Sequence, residues 1–254
     1  MIKNVSLEER FQLKDKVAVV VGGAGHLCSS LSRAFLESGM KVAIVDAAKE
    51  PPADLSSEIL YLSCNVTSKK ELLQCHDEVL KKFKTIDVLL NGAGTNAPTP
   101  FLDISEEEME KIIAVNLKGT IFGCQVFGET MIKQKKGSII NFASASSGPP
   151  LSKAFIYSTA KAGVMNITQN LAREWAPYNV RVNALRPGFF PTEWSMKHFI
   201  DEERKNKILG HTPMKRFGKP EELVGATLWL ASEAAAFVTG SIINVDGGFL
   251  SMTI

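Results

Sequence analysis

Two apolar patterns alternate along the chain. Short runs in which nearly every residue is apolar occur at 16–21, 41–46, 59–62, 86–90, 138–142, 180–185 and 241–245, and Val, Ile and Leu dominate them. Such runs predict strands buried on both faces. Between them apolar residues recur at three- and four-residue spacing, which predicts helices. One helix carries Leu27, Leu31, Ala34 and Phe35 on one face and stops at Gly39; another spans 69–83. A longer one begins at Ser105, where Glu108 three residues on completes a capping-box signature, and continues through Met109, Ile112, Ile113, Leu117, Ile121 and Cys124. Further helices are predicted at 154–175 and near 220–231. Strand–helix alternation of this kind predicts an α/β fold, a doubly wound parallel sheet flanked by helices. No linker, repeat or low-complexity stretch interrupts it, so 1–254 is expected to form a single domain. The least regular stretch, 188–218, is expected to be a mobile flap.

Composition adds mainly exclusions. The 254 residues are 45% hydrophobic and 22% charged, with 29 basic and 27 acidic residues and a net charge of +2. That balance argues against a disordered chain, a nucleic-acid partner or an anionic membrane surface. No apolar run approaches the ~20 residues that span a bilayer. The first ten residues lack the apolar core of a signal peptide, so a cytoplasmic location is expected. Cys28, Cys64, Cys75 and Cys124 form no CxxC pair, and His26, His76, His198 and His211 are equally scattered. Reduced, buried thiols and no metal site are expected.

The first candidate chemistry lies after the first strand, in Gly22-Gly23-Ala24-Gly25-His26-Leu27-Cys28. Glycines between a strand and a helix let backbone N–H groups approach a pyrophosphate at the positive helix end. Asp46 ends the next strand, placed to accept hydrogen bonds from ribose hydroxyls and to repel a 2′-phosphate. Ala47 and Ala48 follow it, and no Arg or Lys lies in the glycine loop, so NAD is expected over NADP.

The second lies in Tyr157-Ser158-Thr159-Ala160-Lys161, where Tyr and Lys share a helix face one turn apart. An ammonium beside a phenol favours the phenolate, giving an acid/base for an alcohol–ketone pair. Ser144, just after a strand, could hydrogen-bond the reacting oxygen. Asn116 is a mid-helix amide among apolar neighbours.

Together with Asn91-Gly92-Ala93-Gly94 and Pro187-Gly188, these residues resemble the short-chain dehydrogenase/reductase family, in order and over essentially the whole chain. The resemblance implies a Rossmann-type sheet, a nicotinamide cofactor and an Asn-Ser-Tyr-Lys tetrad. It implies Tyr157 as acid/base, Ser144 orienting the substrate oxygen, Lys161 on the nicotinamide ribose and Asn116 supporting a proton-relay water. It further implies cofactor contacts from Gly22, Gly25, His26, Leu27, Asp46, Asn65, Val66, Asn91, Ala93, Gly94, Tyr157, Lys161, Pro187, Gly188 and Thr192. The chain departs from the family's Thr-Gly-x-x-x-Gly-x-Gly turn at Val21, His26 and Cys28, and carries Asn65 where an Asp is usual.

The first turn, the segment from Pro187 to Glu193 and the segment from His211 to Gly218 are similar to a sugar-acid branch of the D-mannonate oxidoreductase/fructuronate reductase type. A small-molecule sugar acid or polyol is therefore the expected substrate. Asn96, Ser146, Lys153, Arg186, Phe189 and Trp194 are candidate pocket residues, with Lys153 and Arg186 facing a carboxylate. A 3-oxoacyl carrier-protein reductase and a catalytically silent NAD-binding protein are the alternatives. An enoyl reductase fits less well, since its Tyr–Lys spacing is wider than four. The resemblance also implies dimers or tetramers built on the helices around Asn116 and Tyr157; a homotetramer is expected, with the apolar run from Phe249 to Ile254 at a subunit contact.

Overall fold

The structure, a computed structural model, describes residues 6–198 and 200–252; the side chains of Glu193, Trp194 and His198 are outside the described set. A short helix α1 (Leu7–Phe11) precedes seven strands: β1 (Val17–Val21), β2 (Lys41–Asp46), β3 (Leu60–Ser63), β4 (Val88–Asn91), β5 (Gly137–Phe142), β6 (Val180–Pro187) and β7 (Ile242–Val245). All pair in parallel, in the order β3-β2-β1-β4-β5-β6-β7.

The continuous apolar runs have a direct physical reading. All of β1 is buried, and its alternate residues feed two separate cores. Val17, Val19 and Val21 face one layer with Leu72, Phe127 and Met131, while Ala18 and Val20 face the other with Leu31, Phe35 and Leu230. Helices α3 (Lys69–Phe83), α5 (Gly119–Gln134) and α6 (Phe155–Trp175) cover the first face. Helices α2 (His26–Glu37) and α9 (Val224–Ala231) cover the second. Strand order reverses on either side of β1. The crevice beyond the carboxyl ends of β1 and β4 is therefore the place where such a sheet can hold a ligand.

Three local features differ from the sequence reading. The long helix is α4 (Glu106–Ile113), a π-helical turn at Ala114–Lys118, and then α5. The turn re-phases the buried face, which runs Asn116, Thr120, Cys124, Phe127 and Met131, and leaves Met109 exposed. The capping box at its start is half made. Ser105 Oγ accepts from Glu108 N–H at 3.1 Å, but the Glu108 carboxylate accepts from Thr99 Oγ1 at 2.7 Å instead of returning to the cap.

The third difference is the flap, which is not irregular. It contains α7 (Glu193–His198) and α8 (Glu202–His211), the latter capped by Asp201, whose side chain accepts from Arg204 N–H at 2.7 Å. It is latched onto the segment that leads into α6. Arg204 donates to Ser152 Oγ and to the Ser152 carbonyl at 2.8 Å each, and Lys153 Nζ lies 3.6 Å from Asp201.

All four cysteines are free and buried. Among the described residues no helix is long and apolar enough to cross a membrane, and no group of His, Cys, Asp or Glu could hold a metal ion.

Candidate active site

The crevice at the β1/β4 switch is lined with backbone. Gly22 has φ +79°, and a Cβ there would lie 2.5 Å from Ala93 N, so the turns after β1 and β4 meet without side chains between them. Helix α2 starts at His26 from the N-cap Gly25, with no side-chain cap. Its first-turn N–H groups, including those of His26 and Leu27, have no intrahelical partner and present the positive end of the helix dipole to the crevice. This uncapped end beside a glycine cradle fits a dinucleotide pyrophosphate. Gly25 has φ −69°, so it supplies room here rather than unusual backbone freedom. The His26 side chain is exposed.

Cys28, where the family carries glycine, is buried. Its sulfur takes the space that a Cβ on Gly92 would need, only 2.1 Å away. Gly92→Ala is therefore expected to destabilise the fold by ~1–3 kcal/mol through overpacking. Cys28→Gly should recover most of that loss in the double variant. Denaturant unfolding of the four proteins checks this, and strictly additive effects would contradict the packing account.

Asp46 sits at the mouth of the crevice. Its Oδ2 accepts from Ala24 N–H at 3.0 Å and its Oδ1 from Ala48 N–H at 3.1 Å, so the carboxylate ties the glycine loop to the end of β2. Asn65 is exposed beyond β3, its amide oxygen accepting from Thr67 N–H and Thr67 Oγ1, while Val66 is buried against Gly119. Ala93 and Gly94 line the crevice by backbone. The Asn91 side chain is turned into the core, with Nδ2 donating to Asn141 Oδ1 at 2.9 Å, while its backbone ends β4 at the crevice. Asn141 Nδ2 donates onward to Thr168 Oγ1 at 3.0 Å, forming a polar bar beneath β4 and β5. Pro187 is buried, Gly188 packs on Asp246, and Thr192 Oγ1 accepts from Ser195 N–H at the start of α7.

The tetrad candidates converge beside this crevice. Asn116, fully buried in the π-turn, donates from Nδ2 to Thr95 O at 2.7 Å and to Ile112 O at 2.9 Å. A π-turn leaves a carbonyl such as that of Ile112 without its regular partner, and the Asn116 amide fills that need. Lys161 is 3% exposed and donates to the Phe142 carbonyl at 2.8 Å. Its Nζ lies 5.7 Å from the centre of the Tyr157 ring. The Ser144 side chain lies beside Tyr157, acting to lower the phenol, and its hydroxyl meets Ser146 Oγ at 3.1 Å.

Burial sets the electrostatics, and it reverses one expectation. It pushes the Tyr157 phenol up, with only the Ser144 hydrogen bond acting the other way, so the expected depression by Lys161 is not what governs this phenol. Burial also brings the Lys161 ammonium from 10.5 down to about 8, opposed only by Cys28.

A group whose folded-state value lies below its unfolded value costs stability wherever it is charged in both states. For Lys161 that cost is complete below pH ~8 and is relieved as the pH rises toward 10.5. The stability of the wild type relative to Lys161→Met should therefore rise across that window, by on the order of 3 kcal/mol. Unfolding curves at pH 7.5, 9 and 10.5 test this, and a flat difference would contradict it.

The expected carboxylate anchors are engaged elsewhere. Arg186 Nε donates to the Ser144 carbonyl at 3.1 Å and its Nη2 lies over Gly148, so it braces the serine loop from behind. Lys153 is paired with Asp201, and its carbonyl accepts from Asn96 Nδ2 at 3.2 Å. Ser146 is buried and bonded to Ser144, so it is not a free polar wall. Phe189 packs edge-on against Phe249, which is buried within its own chain. The Trp194 side chain and Thr253 and Ile254 lie outside the described residues.

Known proteins resemble this chain in sequence and fold. A family model described as enoyl-(acyl carrier protein) reductase matches residues 26–250. The NAD-dependent glycerol dehydrogenase of Listeria innocua is 36% identical, with 95% of this chain and 96% of that protein covered. The 3-oxoacyl-[acyl-carrier-protein] reductase FabG of Thermotoga maritima is 34% identical, over 94% of this chain and 99% of that protein. A crystal structure of a gluconate 5-dehydrogenase from Burkholderia cenocepacia, in complex with NADP and tartrate, superposes with a TM-score of 0.92 at 28% identity, covering 98% of this chain and 100% of that one.

The chain belongs to the short-chain dehydrogenase/reductase family. It is an NAD(P)-dependent oxidoreductase acting on CH–OH groups and the corresponding ketones. These relatives do not single out the D-mannonate oxidoreductase/fructuronate reductase branch.

Proposed function

We propose that this chain oxidises a secondary alcohol of a polyhydroxylated small molecule with NAD, and reduces the matching ketone with NADH. The observation that carries the reading is the meeting of Ser144, Tyr157 and Lys161 beside a glycine-lined crevice whose mouth holds Asp46. In this reading Tyr157 Oη takes the alcohol proton, or delivers it to the ketone. Ser144 Oγ holds the reacting oxygen, Lys161 supports the phenol and the ribose, and Asn116 orders a water behind it. The nicotinamide, when bound, would supply the hydride acceptor; the glycine turn would hold the pyrophosphate and Thr192 the nicotinamide end of the dinucleotide.

A polyol or ketose fits better than a sugar acid. Of the two expected carboxylate anchors, Lys153 is paired with Asp201 and Arg186 donates to the Ser144 carbonyl. The similarity to the glycerol dehydrogenase supports that preference. The likeness to the gluconate 5-dehydrogenase favours a sugar acid as the second reading. Following NADH absorbance across polyols, sugar acids, a 3-hydroxyacyl thioester and a steroid alcohol tests the assignment. Turnover confined to the thioester or the steroid would overturn it.

We also infer a homotetramer assembled from one-domain subunits. The supporting feature is an exposed apolar cluster beside α4 and α6, where the Phe101 and Phe155 rings meet at 5.3 Å and Leu102 is 94% exposed. Clusters of this kind mark association surfaces. Light scattering at micromolar concentration should report four subunits, and Phe101→Ser/Leu102→Ser should lower that number. A 27.7 kDa particle for the unaltered protein would refute it.

A further inference from the structure

The amino ends of the strands lie on the opposite edge of the sheet from the crevice, and there a second group of charges converges. We propose that Lys16, Lys136 and Arg181 form a binding site for a small oxyanion at this edge, distinct from the nucleotide crevice. Lys16 immediately precedes β1, Lys136 immediately precedes β5, and Arg181 is the second residue of β6, paired in register with Ser138. The three side chains line one cavity of about 30 Å³ together with Asp87, Ser138, Asn179 and Glu233.

Three observations point to a missing anion. First, the two acidic groups present, Asp87 and Glu233, are too few to balance the three cations. Glu233 Oε1 is shared between Lys16 Nζ and Lys136 Nζ at 3.8 Å each, the long limit of an ion pair, and the Glu233 side chain is half exposed. Asp87 Oδ2 is already the acceptor for Val17 N–H at 2.8 Å.

Second, Arg181 is only half satisfied. Its Nη2 donates to Leu230 O at 2.7 Å and Ser232 O at 3.1 Å, while its Nη1 is buried with no partner. Buried donors on a charged group are costly when unpaired, and a guanidinium edge is shaped for oxyanions.

Third, the cations act on one another. Burial above all holds the Lys16 ammonium below its usual range; Glu233 and Asp87 pull it back up, and Lys136 and Arg181 add to the lowering. A cavity needs only ~10–15 Å³ to take a water-sized atom, so this one admits the leading oxygens of a phosphate or carboxylate. The two ammonium groups would face those oxygens, with the Arg181 guanidinium charge behind them.

Inorganic phosphate is the probe, titrated calorimetrically at constant ionic strength, with acetate and chloride in parallel. Saturable phosphate binding is expected, accompanied by a rise in Tm. Acetate that binds as well as phosphate identifies carboxylates as occupants of the same site. Lys136→Met, on a half-exposed side chain whose loss leaves the core intact, and Lys16→Gln should each weaken phosphate by about tenfold, as expected for losing one charge-assisted contact. Absence of saturable binding by the unaltered protein would overturn the proposal. So would wild-type phosphate affinity in both variants, because the ion would then be elsewhere, for example at the uncapped end of α2.

Discussion

Replacing Tyr157 with Phe should lower kcat by about 10²–10⁴-fold, the usual contribution of a positioned acid or base. NADH affinity should change little, since the ring, its contact with Lys161 and the crevice all remain. The phenylalanine keeps the buried shape and removes only the hydroxyl that Ser144 meets. Burial raises the phenol, so the ionised form gains ground only as the pH climbs. Alcohol oxidation should therefore accelerate with rising pH in the wild type, while residual turnover in the variant should not follow that rise. Steady-state kinetics with a fluorescence titration of NADH separates the two effects. Near wild-type turnover in the variant would remove Tyr157 from the chemistry without touching the fold.

Asp46→Ala should narrow the preference for NAD over NADP by about 30- to 150-fold in the ratio of kcat/KM, corresponding to ~2–3 kcal/mol for one charged contact. The change has two parts that a second substitution separates. Removing the carboxylate abolishes repulsion of a 2′-phosphate and loses an acceptor for ribose hydroxyls. It also frees Ala24 N–H and Ala48 N–H, loosening the glycine loop. Asp46→Asn keeps an acceptor for one of those N–H groups and removes the charge. It should recover NADP turnover with less damage to the loop than Asp46→Ala. A wild-type enzyme that prefers NADPH at the outset would show that the carboxylate does not select the cofactor.

The parts of the fold that were legible are those dictated by local pattern. A run such as 17–21 is apolar at every position because the sheet is covered on both faces, so it could hardly be another element. The glycine turn and Asp46 were legible because both sit at strand ends, where neighbours in sequence are also neighbours in space. What failed depended on partners distant in the chain. Glu108 bonds Thr99 rather than its own cap, and nothing local distinguishes the two. Arg186 and Lys153 look like free cations until Ser144 and Asp201 are brought beside them. The π-turn at Asn116 leaves the helical spacing almost intact, so it showed neither in periodicity nor in composition. Helix α8 is short and mostly polar, and its one strong local signal is the cap Asp201 before two glutamates. The sign of the Tyr157 shift needed burial, which spacing alone does not report.

The strand order has a consequence for how the chain is made. The order β3-β2-β1-β4 places the first strand synthesised between the second and fourth, so the amino-terminal three strands can associate while the remainder is still on the ribosome. One edge of β1 then waits until β4, some seventy residues later, supplies the neighbour that closes the crevice. During that interval an apolar strand edge is open to mispairing, the hazard that attends long-range parallel pairing. Nor can a dinucleotide assist during that interval, because the Ala93 side of its cradle does not yet exist. Ligand-assisted folding should therefore act late, on nearly complete chains, and truncated nascent chains ending before β4 should gain no protease resistance from added NAD.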